Sequence, residues 1–127
     1  MNRHNIDISI IVVNHNRSNY IERCLRSCID QVLFNKNFEV IFIDDASKDN
    51  SFEIAKKFRS SIRLFKLKKN KGISYASNFA IKKSNGRYFI RVDSDDYINK
   101  HTIDFMSEIL SKNQNVAFVY CDHYRVD

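Results

Sequence analysis

A three-layer α/β/α fold on an open, mostly parallel sheet is predicted by three observations. Runs of β-branched residues alternate along the chain with stretches of helical periodicity, beginning with Ile-Ser-Ile-Ile-Val-Val at 8–13. The first two of these runs are apolar almost without interruption, the pattern of strands covered on both faces. Polar, acid-rich clusters follow several runs directly, and parallel strands bring all such carboxyl ends to one edge of the sheet. At 127 residues the chain is expected to form one domain with a core of its own.

Taken in order, the first strand (8–13) ends in the polar loop Asn14-His15-Asn16-Arg17-Ser18. Ile21, Leu25, Cys28, Ile29 and Val32 then recur at helical spacing, with Ser18 or Asn19 as the expected cap. A second buried strand is predicted at 38–43 (FEVIFI). It breaks at the polar stretch 44–51, where Asp49 and Ser47 suit capping of a helix that aligns Phe52, Ala55 and Phe58. Residues 62–67 are less apolar, so that strand belongs near a sheet edge. Asn70-Lys71-Gly72 is a turn, followed by a helix over 74–84 with Ala76, Phe79, Ala80 and Lys83 in register. With only two glycines and no proline in the chain, each glycine calls for a local reason, and Gly86 is expected at the left-handed C′ position of that helix. A fourth strand runs through Tyr-Phe-Ile-Arg-Val-Asp (88–93), a fourth helix covers 100–110, and a fifth strand is predicted at 116–120.

Composition narrows the class. Hydrophobic residues make up 43% and charged residues 28%, which argues for a globular chain and against disorder. No apolar run approaches the roughly 20 residues that span a bilayer, and the N-terminus lacks a signal-peptide pattern. Three cysteines in no framework spacing suit reduced thiols, so a cytoplasmic location is expected. The Cys24/Cys28 spacing matches no known zinc module. A net charge of +6 favours an anionic partner, leaving nucleic acid, an acidic membrane face and a phosphorylated small molecule open.

The acids carry the chemistry. Asp93, Asp95 and Asp96 fall within four positions at the end of the fourth strand. Carboxylates so crowded repel one another unless a cation or several donors sit among them. They are either a solvated rim with a capping role for Asp96, or a corner for a hard divalent ion, Mg2+ or Mn2+, which is held by one or two carboxylates with phosphates and water completing the shell. Asp44 and Asp45 form a second acidic pair at the end of a buried strand, where a carboxylate can accept a hydrogen bond from a nucleotide base. His15 is either a loop histidine with its bonds satisfied or a residue that meets a base or phosphate. All three clusters fall on the sheet edge where open α/β folds bind ligands, at the point where the strand order reverses. No G-x-G-x-x-G, G-x-x-x-x-G-K-[ST] or G-x-S-x-G occurs, which argues against dinucleotide-fingerprint, P-loop and nucleophile-elbow chemistry.

Residues 9–31 (SIIVVNHNRSNYIERCLRSCIDQ), 39–51 (EVIFIDDASKDNS), 70–80 (NKGISYASNFA) and 86–97 (GRYFIRVDSDDY) resemble the successive blocks of family 2 glycosyltransferases with the GT-A fold, whose nucleotide-binding half is Rossmann-like. The resemblance implies an inverting transfer from a nucleotide-diphosphate sugar, most often a UDP-sugar, assisted by Mn2+ or Mg2+. It implies that Val13 and His15 border the base, that Asp45 with Asp44 binds the uracil or ribose, and that Asp93 faces the ribose while Asp95 or Asp96 faces the metal. A saccharide or lipid-linked acceptor is implied, with no nucleic-acid partner. Work at the inner membrane face would need only peripheral association, and an uncovered sheet edge favours homo-oligomers. The chain departs from the family at Ala76-Ser77-Asn78, where an arginine often approaches the phosphates; Lys71 or Arg91 would be the replacement. The family's catalytic base is a downstream carboxylate in the acceptor-binding half, so residues 1–127 are expected to be the donor-binding portion, with the base beyond Asp127. The alternative is a non-catalytic nucleotide-binding or regulatory module that retains the fold.

Overall fold

The computed structural model describes residues 6–126. Its elements run β1 (Ile8–Asn14), α1 (Ile21–Ile29), β2 (Phe38–Asp44), α2 (Ser51–Lys56), β3 (Arg63–Lys66), α3 (Ile73–Lys83), β4 (Tyr88–Asp93) and α4 (Thr102–Lys112). The strands form one sheet in the order β3-β2-β1-β4, every neighbouring pair parallel. The three-layer α/β/α arrangement is as predicted.

Side chains alternate across the central strands and fill two cores. Ile8, Ile10 and Val12 of β1 with Val40 and Phe42 of β2 pack against Ile21, Cys24, Leu25 and Cys28 of α1, Ala55 of α2 and Ile103 of α4. Ile11, Val13, Ile41 and Ile43 point the other way and meet Ala76 and Ala80 of α3. Alanine at those two positions lets α3 lie close to the sheet. β3 is an edge strand, as its weaker hydrophobicity predicted.

Four local expectations are corrected. Residues 116–120 form no strand: Phe118 and Tyr120 are 72% and 79% exposed, and residues 117–119 instead line a groove beside β4 and α4. Apolar patterning marks strand-forming potential, but a strand also needs a ladder partner and a cover for its outer face, and among the described residues this segment has neither. Gly86 does not adopt a left-handed conformation. Its hydrogen is required because a Cβ there would stand 2.5 Å from the Ser9 amide nitrogen and 2.7 Å from Ser9 Oγ. The glycine with positive φ is Gly72 (φ 85°), at the N-terminus of α3. Neither Ser18 nor Asn19 caps α1, whose N-cap position is Tyr20 without a side-chain bond; the turn closes through Tyr20 and Ile21 N–H donating to the Arg17 carbonyl. Finally, Val32 lies beyond the end of α1 and is exposed. Gln31 takes over the junction, donating to the Ser27 and Asn99 carbonyls and accepting from Ile103 N–H at the start of α4.

The edge opposite the acidic clusters is held by a polar network that sequence reasoning missed. Glu39 accepts from Ser9 Oγ–H (2.6 Å), Asn85 N–H (2.6 Å) and Arg63 Nη1 (2.8 Å), while Ser9 Oγ accepts from Gly86 N–H. Burial works against the charged form of Glu39, but these hydrogen bonds and the Arg63 charge outweigh it and hold its pKa below the ordinary glutamate value. Three strands and the approach to β4 are tied together at this end.

Candidate functional site

β1 lies between β2 and β4, so the strand order reverses across β1 and β4. A crevice of about 280 Å³ opens beyond their carboxyl ends, lined by Val13, His15, Arg17, Asp45, Ile73, Asp93, Ser94 and Asp95. Val13 and Asp93 are register partners across the two strands, which sets the end of β1 directly beside the acidic turn.

The loops on this edge are locked together by short polar side chains. Asn16 tolerates a left-handed backbone (φ 54°), and its Oδ1 accepts from Lys48 N–H. Ser47 Oγ accepts from Asn14 Nδ2 and Asn16 N–H, Ser51 Oγ accepts from Arg17 N–H, and Asp49 accepts from Ser18 N–H and from Ser51. Burial raises the Asp49 pKa, but the Ser51 and Ser18 donors prevail and bring it to about 2. The β1 and β2 loops are therefore one rigid wall.

The adjacent acids Asp44 and Asp45 part ways. Asp44 is fully buried behind the crevice, accepting from Asn14 Nδ2 (3.1 Å) and Ser47 N–H (3.0 Å). Asp45 reaches the crevice and clamps the turn before α3, one oxygen accepting from Lys71 N–H and the other from Gly72 N–H, both at 2.8 Å. A carboxylate at a helix N-terminus is also favoured by the helix dipole. Each Asp45 oxygen has a second lone pair, so the group can still accept from a ligand. His15 Nδ1 lies 2.7 Å from the Asp45 carbonyl, which can only accept. That bond assigns the hydrogen to Nδ1 and leaves Nε2 as the acceptor for the amide groups of Asn16 (3.0 Å) and Asn70 (3.1 Å). The imidazole face is thereby fixed across the crevice wall.

At the β4 end, Asp96 N–H donates to the Asp93 carbonyl and closes a tight turn. Asp93 pairs with Arg91 Nη2 and Asp95 with Arg17 Nε, each at 3.3 Å. Arg23 donates to the Asp95 carbonyl and packs over the Tyr97 ring. Cys24 Sγ–H donates to the Asp93 carbonyl at 3.4 Å from below; its interaction with Cys28 and its burial push that thiol's pKa far up, so it stays protonated.

Of the residues the sequence singled out, Val13, His15, Asp45, Asp93 and Asp95 meet in the crevice. Asp44 supports them from inside, and Asp96 is exposed outside the lining. Arg17, Ile73 and Ser94 were not singled out. Arg17 was visible only as one member of a polar loop, and Ile73 fell between the turn at 70–72 and the helix predicted over 74–84, whose first residue it proves to be. Among the described residues no group of three or more His, Cys, Asp or Glu side chains is placed to hold a metal ion. The donor set nevertheless fits Mg2+ or Mn2+, because such sites use one or two carboxylates and the Asp93 and Asp95 side chains are both about half exposed here.

The model of glycosyl transferase family 2 matches residues 9–127, and the chain belongs to that family. It is 32% identical over 123 residues to a chondroitin synthase of Pasteurella multocida, covering 94% of this chain and 12% of that protein. It is 38% identical over 98 residues to the poly(ribitol-phosphate) beta-N-acetylglucosaminyltransferase TarS of Staphylococcus aureus, covering 75% of this chain and 17% of that one. The crystal structure of S. aureus TarS 1-349 in complex with UDP superposes with a TM-score of 0.78 at 32% identity, over 86% of this chain and 33% of that one. The chain thus spans well under half the length of these relatives.

Proposed function

We propose that these residues form the donor site of an inverting glycosyltransferase that takes a nucleotide-diphosphate sugar, in the first instance a UDP-sugar, with Mn2+ or Mg2+. The observation that carries this reading is the meeting of His15, Asp45, Asp93 and Asp95 in one crevice at the reversal of strand order. The UDP complex of a relative with the same fold supports the choice of nucleotide.

In this reading Val13 and the fixed His15 ring border the base, Asp45 accepts a base N–H, and Asp44 keeps the end of β1 in place behind them. Asp93 would face the ribose and Asp95 would hold the metal. Asp96, outside the crevice lining, shapes the turn. The divalent ion, when bound, neutralises the diphosphate and stabilises it as the leaving group. Acceptor activation belongs to a carboxylate outside this crevice; general-base assistance is worth about 10²–10⁴-fold, so these residues alone should bind nucleotide with little transfer. A saccharide or lipid-linked acceptor and action on the cytoplasmic side, with peripheral membrane association, belong to the same proposal. Among the described residues no helix is long and apolar enough to cross a membrane.

Calorimetry with UDP and Mn2+ tests the reading. The wild-type chain should bind UDP in a metal-dependent manner, and Asp95→Asn should remove most of that dependence while preserving the fold. Absence of metal-dependent binding in the wild type would refute the donor-site assignment.

A further inference from the structure

Resting on that donor-site reading, we propose that Arg17 is the diphosphate-reading cation of this crevice, released to that task when a divalent ion takes Asp95. The family's phosphate-side arginine is absent at 76–78, and the two replacements considered from sequence are engaged elsewhere. Lys71 sits over the Tyr75 ring, and Arg91 is paired with Asp93 on β4; neither lines the crevice. Arg17 does line it.

Its backbone and side chain have opposite characters. The Arg17 amide is fixed by Ser51 Oγ, and its neighbours on both sides are held by Ser47 and Asp49, so the stem of the side chain starts from a rigid wall. The guanidinium, by contrast, makes a single ion pair among the described residues, Nε to Asp95 at 3.3 Å, with both side chains about half exposed. A single-point pair in that setting is weak and is given up at little cost. The two terminal nitrogens of Arg17 remain available as a fork, which matches phosphate oxygens better than a single carboxylate oxygen reached through Nε.

The Asp95 side is built for the same exchange. Its backbone carbonyl is held by Arg23, and the turn is closed by Asp96 N–H on the Asp93 carbonyl, so the carboxylate can trade a guanidinium for a metal ion without the turn moving. Arg17 and the ion then compete for one carboxylate but cooperate on one diphosphate. Metal and nucleotide become coupled through a side chain that pairs with Asp95 before the ion binds and with the diphosphate afterwards.

Three titrations into the wild type, Arg17→Ala and Arg17→Lys test this: Mn2+ alone, UDP with saturating Mn2+, and uridine followed by ligand-observed NMR. Arg17→Ala should bind Mn2+ alone as tightly as the wild type or a few-fold more tightly, because a competitor for Asp95 is gone. It should bind UDP with Mn2+ about 10–100-fold more weakly, the worth of a charge-assisted phosphate contact, and uridine unchanged. Arg17→Lys should fall between, keeping the charge without the fork. Equal weakening of UDP and uridine would assign Arg17 a merely structural role, and weaker Mn2+ binding or unchanged UDP binding would overturn the exchange. A wild type that fails to bind UDP at all would instead fell the donor-site reading itself.

Discussion

Replacing Asp45 by alanine should unfasten the turn that sets α3 against the sheet, and the cost can be worked from its hydrogen bonds. The carboxylate accepts from Lys71 N–H and Gly72 N–H at 2.8 Å each, and Asp45 is almost wholly buried. A hydrogen bond to a charged group contributes about 1.5–3 kcal/mol net. The two losses are unequal, because Gly72 N–H keeps a second acceptor in Asn70 Oδ1 at 3.1 Å while Lys71 N–H has no other acceptor among the described residues. Lys71 should therefore lose the full amount and Gly72 only a fraction. Removal of a buried charge returns part of its desolvation penalty. The net expectation is about 2–3 kcal/mol in urea unfolding, with an unchanged m-value. Asp45→Asn keeps one acceptor but turns an N–H2 toward a backbone N–H, so it should cost about 1–2 kcal/mol. Amide exchange supplies the local readout: the Lys71 amide should lose protection in both variants. If Asp45→Ala costs under about 0.5 kcal/mol and Lys71 exchange is unaltered, the clamp is not what holds the turn.

Gly86→Ala and Gly72→Ala should separate two uses of glycine. The first drives a Cβ into the Ser9 backbone and should cost roughly 2–3 kcal/mol or prevent folding, whereas the second meets open space and pays only for its backbone conformation (φ 85°, ψ 162°), a region L side chains rarely enter, about 1–3 kcal/mol, by chemical denaturation. Glu39 ties stability to pH. Its pKa is lowered in the fold, so its contribution is complete above the ordinary glutamate value and fades as pH falls through the lower folded one. Glu39→Gln should accordingly be less stable than the wild type at neutral pH, with the gap closing in acid; a gap independent of pH would contradict the charged network. Asp49 follows the same sign, its contribution lost only as pH falls from the usual carboxylate range toward about 2, and Asp49→Asn should flatten that last portion of the acid unfolding curve.

The amino-acid sequence by itself determined the layers and the sheet edge that matters. Residues 8–13 and 38–43 are apolar on both faces, and only a sheet sandwiched between helices satisfies such runs; once the strands are parallel, the acids after them must gather on one side. That logic placed His15, Asp45, Asp93 and Asp95 together without knowledge of a single distance. Three-dimensional packing decided what local pattern leaves open. Asp44 and Asp45 are neighbours of the same type, yet the end of β2 turns one into the interior and the other toward the crevice. Gly86 is explained by Ser9, 77 positions away, rather than by the helix it follows. Residues 116–120 have a strand's composition but no partner to pair with among the described residues. Arg17 takes its place in the crevice wall only because α2's first residue fixes its backbone and the turn after β4 supplies its counter-ion. Periodicity reports which face of an element is apolar, a property of neighbours along the chain. Which polar group meets which is a property of neighbours in space, and at this site those neighbours come from four separate stretches of sequence.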